Sequence, residues 1–472
     1  MLRRARRWQG RWGLICWLLL VPLGGCAVGG CAPGGGSGPS PEEGPEAAAD
    51  SRQGPLNVVL ISIDTLRPDH LSCYGYSRST SPYIDQFAAT GVLFEETVST
   101  TAWTLPGHAS MLSGLSPRRH GALRRDLAIR PSAKLLAEYL DELGYFSTAV
   151  VDAPFVQASY GFDRGFDHYL WDKEAGRYQH QQSVLAALQQ AHDLYRKEAR
   201  PFFAFFHYMS VHSPYRPEPE FDVFRTPGAE EGSSLDGRNL SRLRKKLEAG
   251  EITLSPLDVA RLVDLYDGEI LSMDERMGEL FRRIQELDLE ESTVVVLTAD
   301  HGEEFYEHGN ILHNRTLYEE VLRVPLIVRG PGIPAERRVT ALTSLVDVTP
   351  TLLQLVGAPS PSGLDGISLV RFWRDDARPR RELELATSAP DGSHAKIGMR
   401  TAGEKLQIDR ENSLRELYDL IEDPGETKNL APEDPRTQEL EDLLVKEIWS
   451  EGSGEVELSS EDEEILRSLG YL

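Results

Sequence analysis

Cysteine is scarce in this chain of 472 residues, with only four, at positions 16, 26, 31 and 73. Three of them precede residue 32, so the body holds Cys73 alone and no internal disulfide framework is available to it. Cys73 reads as a small buried hydrophobe rather than a nucleophile. Positive charge is also short: 50 Lys and Arg face 74 Asp and Glu, a net charge of -24. Residues 1–25 hold five arginines and no acid, so the remainder is more negative still. A surface of that sign excludes broad nucleic-acid binding, which needs basic patches. It leaves an anionic small substrate open, because a bound cation inverts the local field. A long apolar run is missing too. Leu14 to Leu20 is too short for an ordinary spanning helix. No internal repeat is visible.

The first segment reads as an export signal. Arg3, Arg4, Arg6, Arg7 and Arg11 make a basic start, and Leu14 to Leu20 an apolar centre. Leu23-Gly24-Gly25-Cys26 looks like a bacterial lipobox, which implies cleavage before Cys26 and diacylation of its thiol. Cys31 is a second candidate, and a plain secretory signal is the alternative. Two or three acyl chains suffice for stable anchoring. The expected location is the bacterial cell envelope, with the body lipid-anchored and facing the periplasm or the exterior. Residues 26–55, rich in Gly, Pro, Ala and Glu, read as a flexible tether.

Folded structure is predicted from Leu56 onward. Asn57 to Ile63 is a nearly continuous apolar run, the mark of a strand buried on both faces. Phe146–Val151, Phe202–Tyr208, Thr293–Thr298 and Val324–Val328 read the same way. Helical spacing covers Ser132–Leu143, Gln181–Ala199 and Asp258–Leu287. Residues 225–256 are polar and read as an insertion with a short helix near Leu240–Leu247. This alternation predicts an α/β fold with a large, mostly parallel sheet flanked by helices over 56–375. Residues 376–472 differ. Short strands at Glu382–Thr387, Lys396–Thr401, Glu404–Ile408 and Glu416–Asp419, then a helix at Arg436–Ile448, predict a small antiparallel sheet with a terminal helix.

Chemistry concentrates at three places. Asp64 directly follows the first buried strand, and Asp300 and His301 follow another. In open α/β sheets the carboxyl ends of strands line the ligand crevice. Two aspartates and a histidine there can hold a divalent cation, although each aspartate alone could equally cap a turn. The third place is Thr104-Leu105-Pro106-Gly107-His108. It puts a hydroxyl at a helix start, where unpaired N–H groups favour an anion. Thr104 is either a helix cap or a nucleophile. His108 is a structural histidine or an anion-stabilising group one turn on.

Several separated stretches now resemble one family in the right order. They include Val58-Val-Leu-Ile-Ser-Ile-Asp64-Thr-Leu-Arg67-Pro-Asp-His70, Thr104 to Gly114, and Ser116-Pro-Arg-Arg-His-Gly121. Further on come His207-Tyr-Met-Ser-Val-His212-Ser-Pro-Tyr215, Asp300-His-Gly-Glu-Glu304, Thr316-Leu-Tyr-Glu-Glu320 and Glu416-Leu-Tyr-Asp-Leu420. The body resembles the sulfatase family of the alkaline phosphatase superfamily. The resemblance implies one divalent metal held by Asp64, Thr104, Asp300 and His301. It implies that His212 and His313 face the ester, with Arg67 and Asn314 as substrate-binding residues. Oxygen-rich ligation favours calcium, magnesium or manganese, while His301 keeps zinc open.

One departure changes the expected chemistry. The family carries Cys or Ser where Thr104 stands, converted to formylglycine, and usually Arg where His108 stands. Thr65 replaces a second metal-binding aspartate. Formylglycine hydrate expels sulfate by collapsing to the aldehyde. Threonine lacks the second hydroxyl on the same carbon, so it must form a covalent ester that water or another acceptor resolves. The sequence therefore places phosphate mono- or diesters first, as substrates of hydrolysis or group transfer. A sulfuric-ester hydrolase lacking formylglycine and a non-catalytic surface binding protein are the alternatives. Asp69, His70 and Asp152 are available by type for a second metal. Substrate specificity is expected in residues 155–180 and 216–256. Nothing in the sequence decides the oligomeric state.

Overall fold

The computed structural model describes residues 55–173, 176–359, 361–375, 378–444, 456 and 458–468. The predicted signal, Cys26 and all but the last residue of the tether lie outside them. Among the described residues no helix is long and apolar enough to cross a membrane.

An eight-stranded sheet organises the body. Its strands in chain order are β1 (Asn57–Ile63), β2 (Val92–Phe94), β3 (Phe146–Val151), β4 (His168–Trp171), β5 (Phe202–Tyr208), β6 (Thr293–Thr298), β7 (Leu326–Arg329) and β8 (Arg337–Val339). They lie in the order β8-β2-β7-β6-β1-β5-β3-β4. The central strands β6, β1, β5 and β3 run parallel, and every residue in them is buried. That double burial is why the sequence shows continuous apolar runs rather than alternation there. Strand β7 is antiparallel to both neighbours, so the sheet is mixed toward that side. Strands β2, β4 and β8 escape sequence reading. They are short, and β4 and β8 are partly exposed, so neither periodicity nor length marks them.

The parallel register matters for chemistry. Ser62 of β1 stands opposite His207 of β5 on one side and Thr298 of β6 on the other. The three chains therefore leave the sheet at one edge, carrying Asp64, Met209 and Asp300 out together.

Six helices lie at predicted positions with shifted ends, and one that precedes them, α1 (Pro82–Ala89), was not predicted. The six are α2 (Thr104–Ser113), α3 (Leu136–Glu142), α4 (Arg177–Glu198), α5 (Leu240–Glu248), α6 (Pro256–Glu286) and α7 (Arg436–Leu443). Helix α3 starts at Leu136, four residues later than predicted, because Leu135 is extended and Glu138 accepts its N–H at 2.8 Å. Ser255 caps α6 in a reciprocal box with Asp258. Asp274, in the middle of α6, takes the N–H groups of Tyr83 and Ile84 at 2.9 and 2.8 Å and so fixes the start of α1.

A four-stranded antiparallel sheet follows: Leu383–Thr387, Lys396–Arg400, Glu404–Asp409 and Arg415–Asp419, paired in chain order. Helix α7 ends its described course at Leu443; residues 445–448 of the predicted helix lie outside the described ones. A final helix, α8 (Ser460–Ser468), was not predicted. Its acidic, weakly apolar sequence carries little helical signal.

Charge joins this sheet to the body. Lys405 is fully buried, with Nζ 2.7 Å from Glu426 and 3.2 Å from Glu319. Arg400 reaches Glu319 at 3.1 Å. Burial alone would raise Glu319, but Lys405 and Arg400 hold its carboxyl well below the usual range. Nearby, His308 stacks flat on Tyr318 at 3.6 Å, and its Nδ1 lies 2.6 Å from Glu320. Burial opposes a charge on His308, yet Glu320 outweighs it and raises the imidazole above its ordinary 6.5. Stability from that pair is complete below about pH 6.5 and lost as pH rises through the raised value. His308→Asn should therefore lower the urea midpoint clearly at pH 6 and hardly at all near pH 9, which a pH series of unfolding curves measures.

Candidate active site

Asp64 is the first residue after β1, and its N–H bonds to the Tyr208 carbonyl at 2.8 Å. Thr65 then turns the chain with φ +59°, a left-handed conformation uncommon for a β-branched residue. Tyr266 of α6 holds this turn, donating its hydroxyl to the Thr65 carbonyl at 2.7 Å and accepting the Arg67 N–H at 2.9 Å. The turn aims Asp64 at the end of β6, where Asp300 and His301 wait. Ligand atoms of Asp64, Asp300 and His301 all lie within 4.8 Å of one another, and all three residues are fully buried.

The imidazole of His301 is set by its own backbone. Nδ1 donates to the Gly302 carbonyl at 2.8 Å, leaving Nε2 as the atom that faces the carboxylates. Nε2 is 3.3 Å from Asp300 Oδ2 and 3.6 Å from Asp64 Oδ1. Asp64 Oδ1 and Asp300 Oδ2 have no hydrogen-bond partner among the described residues. Atoms sharing a cation at about 2.1–2.4 Å stand about 3–3.5 Å apart. Two buried carboxylates with orphaned oxygens and an oriented imidazole thus fit a divalent cation. Burial and the charge of Asp64 push Asp300 up to about 7. Burial would also raise Asp64, but His207, His212 and His301 hold it far below the usual carboxylate range.

Thr104 is the first residue of α2, with Trp103 in the capping position. Its hydroxyl makes no capping bond. It donates instead to Asp64 Oδ2 at 3.3 Å and lies 3.5 Å from His301 Nε2. The helix start reaches the site because residue 107 is glycine. A Cβ there would come 2.9 Å from the Asp300 carbonyl oxygen.

His108 is a correction. Of the two roles the sequence offers, anion-stabilising group and structural histidine, the structure favours the second, because both ring nitrogens are used inward. Nδ1 donates to the Thr104 carbonyl at 2.9 Å, and Nε2 accepts from Ser62 at 3.0 Å. Burial pushes its pKa down to about 3. It is a neutral prop tying the helix start to β1. Arg67 is a second correction. Its guanidinium grips Asp69 at 2.7 Å, Glu307 at 2.6 Å and the Glu303 carbonyl at 2.8 Å. Four of its five N–H donors are engaged by these acceptors, so Arg67 braces the 303–307 loop. The groups considered for a second metal are equally engaged: Asp69 with Arg67, His70 with Asp267 at 2.7 Å, and Asp152 with His207 at 2.9 Å.

His212 and His313 do come together. Their ring centres are 5.0 Å apart, and His313 lies 4.4 Å from His301. Nδ1 of His212 donates to the Ser213 carbonyl at 2.6 Å. Nδ1 of His313 meets Glu303 Oε1 at 2.9 Å, and Tyr215 donates to the other oxygen of Glu303 at 2.7 Å. Burial lowers both imidazoles. Asn314 is buried with a left-handed backbone, and its Oδ1 has no partner among the described residues. Beside His212 opens a cavity of about 470 Å³, lined also by Asp152, Lys173, Arg177, Arg216 and Glu218. Both segments expected to carry specificity contribute to its wall.

Sequence reading gives no task to His207 or Glu303. His207 had a usable signal, an imidazole at the carboxyl end of a buried strand. Tyr215 reads from the sequence as pocket lining or loop packing near His212, but its bond to Glu303, 88 residues away, leaves no mark there.

The approach of Gly107 to Asp300 gives a test. Gly107→Ala should force the helix start from the carboxylates and cost about 1–3 kcal/mol of stability. Divalent-metal affinity should fall with it, as isothermal titration on the folded variant would record.

The chain matches the sulfatase family over residues 56–358, and the family of N-sulphoglucosamine sulphohydrolase C-terminal regions over 306–453. It is 26% identical to arylsulfatase K of Canis lupus familiaris over 457 residues, covering 85% of this chain and 84% of that one. Its fold is similar to a protein solved with its substrate D-glucosamine-2-N,6-O-disulfate, with a TM-score of 0.66 at 19% identity, covering 88% of this chain and 98% of the other. It is also similar to the phosphonate monoester hydrolase of Silicibacter pomeroyi, with a TM-score of 0.65 at 21% identity, covering 82% and 93%. With the family match spanning well over half its length, and the buried Asp64-Asp300-His301 cluster at the carboxyl edge of its sheet, this chain belongs to the sulfatase family of ester hydrolases.

Proposed function

We propose that this protein hydrolyses sulfuric esters of anionic, sugar-like substrates, with Thr104 as the attacking group. The observation that carries the site is the Thr104 hydroxyl aimed at Asp64 and His301 rather than at its own helix. The preference for sulfate draws on the family match, on the likeness to an arylsulfatase over 85% of this chain, and on a disulfated sugar as the substrate of a fold relative. Threonine at position 104 favours a second reading, phosphoric esters, which the sequence alone ranks first.

A divalent cation held by Asp64, Asp300, His301 and Thr104 Oγ1 would supply positive charge to the ester's oxygens and acidify the threonine hydroxyl. Thr104 Oγ1 attacks the central sulfur or phosphorus, and its proton goes to Asp64 Oδ2, the acceptor it already faces. The new bond leaves a covalent ester on Thr104, and the bond to the departing oxygen breaks. His212 or His313 assists the departing oxygen by facing it, and that oxygen takes its proton from solvent water. The backbone N–H groups at the start of α2 face the transferred group. Water then attacks the transferred sulfur or phosphorus, the bond to Thr104 Oγ1 breaks, and the proton held on Asp64 returns to Oγ1 as sulfate or phosphate leaves. Formylglycine takes no part in this sequence, and Asn314 contributes its side-chain amide to the bound anion.

The test compares an aryl sulfate, an aryl phosphodiester and a phosphonate monoester on the full chain, with Thr104→Ala beside it. Thr104→Ala should lose at least about a thousandfold in turnover of the best substrate. Mass spectrometry of the quenched wild type should find the modification on Thr104. Sulfate turnover that survives in Thr104→Ala would sink the nucleophile assignment. A higher kcat/KM on the phosphodiester would put the second reading first.

We also propose that Cys26 carries a lipid anchor holding the enzyme to the bacterial envelope. Metabolic labelling with an acyl-chain probe should mark the wild type and leave Cys26→Ser unlabelled and in the soluble fraction. Labelling that persists until Cys31 is also replaced would move the anchor to that residue.

A further inference from the structure

His207 is fully buried at the end of β5, and the mechanism above leaves it without a task. Its Nδ1 is 2.9 Å from Asp152 Oδ1, while its Nε2 points across to Asp64 Oδ2 at 3.4 Å. The second separation is not a formed hydrogen bond; Nε2 has no partner among the described residues. The ring has little room to move. His108 packs edge-on against it at 4.8 Å, and the backbone of β5 is paired to β1 with His207 opposite Ser62. The strand that carries the imidazole is thus the one hydrogen-bonded to the strand that carries Asp64.

We propose that His207 is a positioning residue for Asp64, with Asp152 as its anchor. The Asp64 carboxylate has two different sides. Oδ2 is turned toward the Thr104 hydroxyl and His207; Oδ1 is turned toward His301 and has no partner. Contacts on the Oδ2 side stop the carboxylate from rotating about its last torsion and keep Oδ1 in the cluster. Asp152 in turn fixes the ring by accepting a hydrogen bond from Nδ1–H, the arrangement by which a carboxylate orients an imidazole beside a metal site. Asp152 also lines the cavity beside His212. The residues Asp152, His207 and Asp64 thus run from the cavity wall to the cation cluster.

This inference rests on the reading of Asp64 as a metal ligand. The test is equilibrium binding of Mn²⁺ alone to the full chain, with free Mn²⁺ read by electron paramagnetic resonance. His207→Phe, which keeps the ring volume and loses both nitrogens, should bind Mn²⁺ about 10–100-fold more weakly than wild type. His207→Gln should recover part of that loss. Asp152→Asn should weaken binding in the same direction while the thermal midpoint of the metal-free protein changes little. A purely structural role would lower that midpoint and leave affinity unchanged in the folded fraction. Unchanged Mn²⁺ affinity in folded His207→Phe or in Asp152→Asn overturns the proposal. If the histidine variants do not fold, Asp152→Asn decides alone. A wild type that binds no Mn²⁺ overturns the metal reading, and this inference with it.

Discussion

Two carboxylates, Asp64 and Asp300, are buried side by side at one edge of the sheet, and the surrounding structure answers that charge. Neither would be tolerated there alone, since burying an uncompensated carboxylate costs several kcal/mol even after relaxation. Around them stand the imidazoles of His207, His212, His301 and His313, and a helix start from α2. Even so, one oxygen of each carboxylate has no partner among the described residues. The arrangement is complete only when positive charge enters between them. A divalent cation held there would supply that charge and invert the local field of a protein whose net charge is -24.

The histidines follow one pattern. His207, His212, His301 and His313 each spend Nδ1 on a neighbour: Asp152, the Ser213 carbonyl, the Gly302 carbonyl and Glu303. Anchoring one nitrogen sets the tautomer and the ring plane, so the opposite nitrogen has a defined direction. His108 differs because both of its nitrogens are anchored, to Thr104 and Ser62. The same residue type therefore has Nδ1 anchored by a neighbour in four places and both ring nitrogens anchored in the fifth. Hydrogen-bond partners decide which, and those partners come from separate parts of the chain.

Legibility in the sequence tracked locality. Strands β1, β3, β5 and β6 were readable because burial on both faces makes each a continuous apolar run. Asp64 and Asp300 stood out because each directly follows such a run. Thr104 was ambiguous, since a threonine before Pro106 fits a cap as well as a nucleophile; the hydroxyl's turn toward Asp64 removes the cap reading. Arg67 was misread because Asp69 is near in sequence but Glu307 is 240 residues away. Glu303 was visible inside a motif, yet its bonds to Tyr215 and His313 were not. Short strands such as β2 and β8 left no trace, because three residues carry too little pattern.

By itself, the sequence determined the α/β class, the family, the order of the buried strands along the chain and the residue types available for a cation. Each of these follows from local periodicity or from contiguous motifs. Only the tertiary structure decided that β6, β1 and β5 lie side by side in a register that brings Asp64, Asp300 and His207 to one edge. It also decided that Thr104 meets Asp64, that Arg67 is spent on carboxylates and that His108 is a prop. Those outcomes depend on contacts between residues tens to hundreds of positions apart. They are set by sheet pairing and close packing, which no local pattern of residues encodes.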